Sequence, residues 1–490
     1  MHAVSCTPEI GTAPMTLFFA FHTILVLAIV VRILLRDDLS PPARLAWFVV
    51  LILLPYFGTV IYFLFGEIAI GRSARRRHRK VSAEIRTKAS AFMGAPGASE
   101  TLIDPLYRPA FRYAASINGF HPVVGNAAEL MVDGDETLRR MVADIDAATA
   151  QVHLLSYIWL EDHTGTQIAE ALMRAARRGV TCRAMADGMG SRAMVKSALW
   201  KRMGEAGVHC AIALSFRNLV RVFVTSRVDL RNHRKIIVID GHITYCGSRN
   251  LADPEFLPKA KYAPWVDIML RFTGPVAAQN QLLFASDWMQ ATGDSLDGFD
   301  LLAQPVAGGF PAQVMGVGPT GRRGATPQLF ANLIASADRD LTISTPYFVP
   351  DTTLTDALCA AAYRGVAVTL IFPKVNDSWI VAAVSHSYYH RLLDAGCVIH
   401  EFEGGLLHAK TMTIDGKVSV VGSSNLDLRS FDLNYENNIL LQDEVVTNAI
   451  FERQQDYIRR SEQVLLPAVL AWPWYRRIWN NVIATVGPVL

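Results

Sequence analysis

One eighteen-residue pattern occurs twice in this chain, about 175 positions apart, and any fold must account for that repeat. HRKIIVIDGHITYCGSRN begins at His233 and HAKTMTIDGKVSVVGSSN begins at His408. Both fit His-x-Lys-x4-Asp-x6-Gly-Ser-x-Asn. The pattern fixes His233, Lys235, Asp240, Gly247, Ser248 and Asn250 in one copy, and His408, Lys410, Asp415, Gly422, Ser423 and Asn425 in the other. The segment before each copy repeats as well. In the first half, Asp135–Ala150 places Leu138, Met141, Val142 and Ile145 on one helical face. The apolar strand QVHLLSYIWL follows, then a helix ending in RRGV (Arg177–Val180), the strand TCRAMADG and a helix reaching AGV (Ala206–Val208). The second half runs in the same order: a helix around Leu329–Ala337, the strand LTISTPYF, a helix ending in YRGV (Tyr363–Val366), the strand AVTLIFP and a helix reaching AGC (Ala395–Cys397). Strands alternating with amphipathic helices imply an α/β fold whose helices cover a sheet, and two such units packed together make a pseudo-dimer.

The spacing within the motif has a chemical reading. Alternate side chains on a strand share a face, so His233 and Lys235 point one way, as do His408 and Lys410. A phosphate docked there meets an imidazole and an ammonium together. Asp240-Gly241 and Asp415-Gly416 read as tight turns into the next strand. Ser248 with Asn250, and Ser423 with Asn425, then reach that strand's end as neutral donors to phosphate oxygens. One copy is not enough. Displacing an alcohol from a phosphodiester needs a nucleophile on one side and a proton donor to the leaving oxygen on the other, and two histidines across one phosphate supply both. The lysines stabilise charge on the equatorial oxygens. We therefore group His233, Lys235, Asp240, His408, Lys410 and Asp415 as the catalytic set and expect neither metal nor cofactor. The six cysteines, from Cys6 to Cys397, form no CxxC pair and suggest no zinc site or disulfide framework.

Two carboxylates come after the motifs at equivalent places. Asp267 lies in WVDIMLRF and Glu436 in NYENNILL, each opening an apolar strand. They are expected to accept a hydrogen bond from the histidine nitrogen that does not face phosphate, fixing tautomer and orientation as in a Ser-His-Asp triad. His153, His163 and His242 read as structural or exposed. Asp187 and Asp377 end equivalent strands without an assigned role.

The N-terminus is of another kind. Thr16–Leu35 is apolar apart from His22, Thr23 and Arg32, and Leu45–Phe65 carries no charge. Each matches the roughly 20 residues of a membrane-crossing helix. Arg72–Lys80 places six Lys/Arg directly after the second stretch, so the positive-inside rule puts the rest of the chain in the cytoplasm. The same run attracts anionic lipid headgroups. Residues 1–80 hold nine Lys/Arg against four Asp/Glu, whereas the other 410 hold 38 against 40, a balance that argues against nucleic acid as a partner.

These motifs are those of the phospholipase D superfamily, and beyond them the chain resembles bacterial cardiolipin synthases with a two-helix anchor. The resemblance is carried by AWFVVLILLPYFGTVIYFLFGE, SYIW, STPYFVPD and GSSNLDLRSFDLNYENN, and it covers nearly the whole chain. GSRNLADPEF departs from it, since relatives often carry a second glycine in place of Ser248. The resemblance implies a duplicated phospholipase D-like domain: two α/β/α sandwich repeats at 121–310 and 311–490. Before them come a transmembrane hairpin at 1–70, with spans at about 16–35 and 45–65, and a basic linker at 71–120. It also implies a transfer through a covalent phosphohistidine. By the same resemblance His233 is expected to act as nucleophile and His408 as acid/base, with phosphatidylglycerol as substrate and cardiolipin and glycerol as products. The place it implies is the bacterial inner membrane, against an anionic surface. A hydrolytic phospholipase D releasing phosphatidic acid is the alternative within the superfamily. The C-terminal segment with Trp472, Trp474, Trp479, Arg476 and Arg477 reads equally as interfacial or as a terminal helix packed on the body.

Overall fold

The computed structural model describes residues 13–37, 39, 41–66, 71–214 and 229–486; Cys6, Asp38 and the ends of the expected hairpin region lie outside these. Two compact units result, one within Met1–Ala69 and one from residue 71 onward.

In the first unit, helices span Ala13–Leu34, Pro41–Leu53 and Pro55–Ile61, and a π-turn at Tyr62–Gly66 ends it. The apolar stretch 45–65 is therefore not one helix. Pro55 has no N–H to donate to the preceding turn, and the chain leaves helical geometry at Leu54 (φ −135°, ψ 63°). Ile29, Ile33, Trp47, Leu51 and Tyr62 pack together. The outer surface is apolar too, with Ile24, Leu27, Val31, Ile52, Phe57 and Val60 exposed. Among the described residues no helix is long and apolar enough to cross a membrane.

The second unit holds twenty strands among its described residues. In the first repeat these are β1 (Val123–Leu130), β2 (Gln151–Ser156), β3 (Thr181–Asp187), β4 (His209–Ala213), β5 (Arg231–Asn232), β6 (Ile236–Ile239), β7 (Ile243–Gly247), β8 (Trp265–Val266) and β9 (Met269–Thr273). The second repeat adds β10 (Phe310–Val317), β11 (Asp340–Ser344), β12 (Phe348–Val349), β13 (Ala367–Pro373), β14 (Val398–Phe402), β15 (Leu406–Leu407), β16 (Thr411–Ile414), β17 (Val418–Gly422), β18 (Leu426–Asp427), β19 (Asn434–Gln442) and β20 (Ser461–Val464). Sixteen form one sheet ordered β20-β14-β13-β11-β16-β17-β19-β10-β1-β9-β7-β6-β2-β3-β4, with β5 beside β19. Reading outward from the β10–β1 seam gives matching strands on both sides as far as β14 and β4, with β20 added at one edge, so the duplication seen in the motifs is the symmetry of the sheet.

Local chemistry repeats with it. β2, β6 and β7, like β16 and β17, are buried on both faces, and β6 (Ile236–Ile239) is accordingly apolar without a break. Asp133 and Asp162 cap the helices Gly134–Ala147 and His163–Arg177; Asp351 and Asp443 do the same for Thr352–Tyr363 and Glu444–Arg459. The Arg of each Arg-Gly-Val sequence reaches back to the previous helix: Arg178 to the Ile145 carbonyl, Arg364 to those of Ala335 and Ala337. Each repeat has its own apolar cluster, and a third, drawn from both, lies around the helices Val276–Thr292 and Glu444–Arg459.

Residues 71–120 are not a linker. Arg72–Lys88 and Arg108–Asn118 are helices. Val81, Ile85, Ala89 and Met93 enter the shared cluster, while Ile103, Tyr107, Phe111 and Ala114 enter that of the second repeat. The basic residues hid a stripe at i, i+4 spacing that faces the body. Phe111 is 1 % exposed. Phe111→Ala should therefore destabilise the protein by about 3–5 kcal/mol in denaturant unfolding, where a true linker position would change nothing.

Candidate active site

Each motif histidine is mounted on a two-residue strand that pairs with the opposite repeat. β5 runs parallel to the start of β19, and the His233 N–H donates to the Tyr435 carbonyl at 2.9 Å. β15 runs parallel to β8, and the His408 N–H donates to the Val266 carbonyl at 2.8 Å. In both cases the next residue along the partner strand is an acid. His233 Nδ1 lies 2.9 and 3.0 Å from the Glu436 carboxylate oxygens, and His408 Nδ1 lies 2.6 Å from Asp267 Oδ1. In sequence each acid follows its own motif. The fold exchanges them.

The motif serines stand behind these acids. Ser248 donates to Asp267 at 2.6 Å and Ser423 donates to Glu436. The same hydroxyls accept the Ile268 and Asn437 N–H groups. A hydroxyl has one proton, so Ser248 and Ser423 hold the carboxylates and do not face a phosphate as expected. The asparagines differ. Asn250 Oδ1 accepts from the Ile158 N–H at 3.3 Å and Asn425 Oδ1 is buried without a partner. Neither side-chain NH2 donates to a protein group among the described residues.

Lys235 and Lys410 are buried, and each ammonium donates to the carbonyl of its own motif histidine, at 2.8 and 2.7 Å. An ammonium carries three protons, so two on each remain for an anion. Loss of hydration lowers these groups to about 8 for Lys235, opposed by Glu436 and Asp267, and to about 7 for Lys410, where Asp267 opposes and Lys235 adds to the fall. Burial also lowers both histidines to about 4, against the pull of Glu436 on His233 and of Asp267 on His408. Burial pushes the two acids upward, but the neighbouring histidines, lysines and serines outweigh it and leave both below the usual carboxylate range.

Near neutral pH the acids are ionised and the imidazoles neutral. Nδ1 therefore holds the proton shared with the carboxylate, and the Nε2 lone pair is free. Lys410 lowers His233 and Lys235 lowers His408, so the two sets lie within electrostatic reach of each other. Two lone pairs and two under-bonded ammoniums suit a phosphate ester attacked from one side and protonated on the other.

Sequence reasoning missed the walls of the site. The Tyr157 ring sits 4.7 Å from that of His233, and Trp265 sits 4.6 Å from His408. Trp265, two residues before Asp267, was the available signal. Asp187 accepts from the Met189, Gly190 and Asn232 N–H groups and so fixes the residue before His233. Asp377 accepts from the Tyr347 hydroxyl at 2.7 Å and pairs with Lys259. His153 stacks on Phe284 and bonds Gln151, a structural role. The third place of Gly-Ser-x-Asn breaks the symmetry, with Arg249 in one copy and Ser424 in the other. Arg249 is buried, bonds Thr164 and lines a cavity of about 540 Å³ whose wall includes Trp265 and Asp267.

Asp240 and Asp415 are not brought to this site, which corrects their place in the catalytic set. β6 pairs antiparallel with β2 so that His233 lies at the Ser156 end and Asp240 at the Gln151 end. β16 and β11 separate His408 from Asp415 in the same way. Asp240 accepts from the Thr149, Ala150 and Gln151 N–H groups, and Asp415 from those of Asp338, Arg339 and Asp340 and from the Tyr107 hydroxyl. Both turn their hairpins at positive φ, 49° and 54°, followed by Gly241 and Gly416. Their work is to anchor the start of β2 and β11. Asp415→Ala strands four donors, so unfolding experiments should show a loss of about 3 kcal/mol or more. The rate per folded molecule should stay within about threefold, whereas a catalytic acid would lose rate without stability.

Comparison with known proteins matches this division into repeats. The family described as "Cardiolipin synthase, PLD-like domain" matches residues 141–280 and 330–458, and "Phospholipase_D-nuclease N-terminal" matches 24–67. Cardiolipin synthase A of Edwardsiella ictaluri is 35 % identical over 485 residues, covering 96 % of this chain and 97 % of the relative. That of Proteus mirabilis is 33 % identical, covering 97 % and 98 %. Among solved structures, phosphatidylserine synthase of Haemophilus influenzae superposes with a TM-score of 0.58 at 15 % identity, over 79 % of this chain and 100 % of that one, a likeness of fold.

Proposed function

The chain belongs to the phospholipase D-like cardiolipin synthase family, and we propose from that premise that it joins two phosphatidylglycerol molecules into cardiolipin, releasing glycerol. It is a phosphatidyltransferase acting on phospholipids and is membrane-associated. The crossed pairs His233–Glu436 and His408–Asp267 carry the mechanism.

In the first step Nε2 of His233 attacks the phosphorus of one phosphatidylglycerol, the bond to the glycerol oxygen breaks, and His408 protonates that oxygen. A phosphate anion entering between the rings favours the imidazolium this requires, since it offsets the burial that otherwise keeps His408 neutral. In the second step His408, now neutral, takes the proton of the primary hydroxyl of another phosphatidylglycerol. That oxygen attacks phosphorus, the P–N bond breaks and His233 regains its lone pair. One phosphodiester is exchanged for another, so no nucleotide is consumed. Lys235, Lys410, Asn250 and Asn425 hold the non-bridging oxygens. His233 and His408 are 7 % and 3 % exposed, and such seclusion from water favours an alcohol acceptor over hydrolysis.

The apolar exterior of the first unit supports a hairpin anchor in the bacterial inner membrane. The exposed basic start of Arg72–Lys88 supports a cytoplasmic body held against anionic lipid.

Purified enzyme given phosphatidylglycerol should yield cardiolipin and glycerol by mass spectrometry, with a phosphatidyl adduct on His233 after rapid quenching. Phosphatidic acid as the main product would overturn the transfer, and an adduct on His408 would reverse the two roles. The pH dependence of kcat/KM should rise as the nucleophile His233 loses its proton through about 4. It should fall as the lysines lose theirs through about 7 to 8. A rate still climbing at about pH 9 would exclude the charged lysines from the mechanism.

A further inference from the structure

The helix Trp474–Val486 is packed inside out for a protein in water. Its inward residues include Asn480, 4 % exposed with its side-chain nitrogen unpartnered. Half-buried Arg476 lies 3.9 Å over the Trp472 ring. Its outward face is centred on Trp474, Tyr475, Ile478, Trp479 and Val482, each more than half exposed, with Arg477, Asn481 and Thr485 exposed at its margin. A surface helix normally turns its apolar stripe to the core and its polar side to solvent. The patch is also not a loose tail. Trp379, 61 % exposed at the start of the helix Trp379–Asp394, stacks on Trp479 with ring centroids 5.9 Å apart.

Charge decides what covers this surface. From Val464 to Leu490 the sequence has two arginines and no acid. Exposed tryptophan and tyrosine beside arginine is the composition of a bilayer interface, and the positive balance suits anionic headgroups. Position agrees. β11 and β13 are parallel, and His408 lies beyond the Ser344 end of β11, because Ser344 faces Thr411 across the β11–β16 pair. The loop after β13 leaves from that same end and carries Asp377, which holds Tyr347, two residues before Trp379. The patch thus borders the edge of the sheet where the histidines sit.

We propose that Trp379, Trp474, Tyr475, Ile478, Trp479 and Val482 form a bilayer-docking surface that seats at the headgroup level of an anionic membrane and sets the catalytic cleft against it. Its use rests on the lipid-transfer reading, but its test does not. The full chain is reconstituted in vesicles of phosphatidylglycerol with brominated acyl chains. Tryptophan quenching should be strong, and Trp474→Phe/Trp479→Phe should remove a large share of it. Unchanged quenching in that variant overturns the proposal. A second variant, Trp379→Ser/Trp474→Ser/Ile478→Ser/Trp479→Ser, is assayed on phosphatidylglycerol vesicles and on a short-chain phosphatidylglycerol dissolved as monomers. Docking predicts a loss of about tenfold or more on vesicles, with the monomeric substrate turned over as before. Equal losses on both mean a merely structural role and overturn it, as does full activity on both. If the unaltered protein makes no cardiolipin from either substrate, the function reading fails while the quenching still reports on docking.

Discussion

Every part of the site depends on one constraint: two ammoniums and two carboxylates are held out of water within reach of each other. Buried charge is tolerated only when paired and hydrogen-bonded. Here each acid is hydrogen-bonded across the repeat boundary, Glu436 by His233 and Asp267 by His408, and the charge of Lys235 and Lys410 offsets theirs. Neither repeat holds a complete set. The two-residue strands β5 and β15 exist to make that exchange, since each delivers a histidine to the backbone of the other repeat just before the acid. The serines then hold the acids, and the lysines are left with protons to spare.

Much of this was legible in the sequence. The duplicated motif gave the two-fold order and placed β6 with β16, and the repeated strand–helix order placed β2 with β11, although β11 and β16 alternate threonine or serine with apolar residues. Asp267 and Glu436 were found by position, since equivalent places in a duplication have equivalent uses. The exchange between repeats was not legible, because nothing in a linear order says which histidine meets which acid. Asp240 and Asp415 misled for a related reason. A spacing shared by both copies marks a common requirement, and that of a hairpin turn is as strict as that of a catalyst. Ser248 and Ser423 were placed on the right strand but given the wrong acceptor.

Residues 71–120 show the limit of reading by composition. Arginines dominate the count there, yet one apolar side chain per helical turn is enough to dock a helix, as Val81 and Ile85 do. At the N-terminus hydropathy hid the opposite detail, because averaging over an apolar window erases a single proline, and Pro55 splits the second apolar stretch into separate helices.

The seam between β1 and β10 has a last consequence. Strands from both halves belong to one continuous sheet, with Val123 opposite Ala312 and Asn126 opposite Phe310. Two lobes welded along their backbones do not swing apart as hinged jaws do. The enzyme cannot swallow a bulky amphiphile by gaping. Exchange of one headgroup for the next must therefore rely on movement of side chains and loops rather than on the two halves opening and closing.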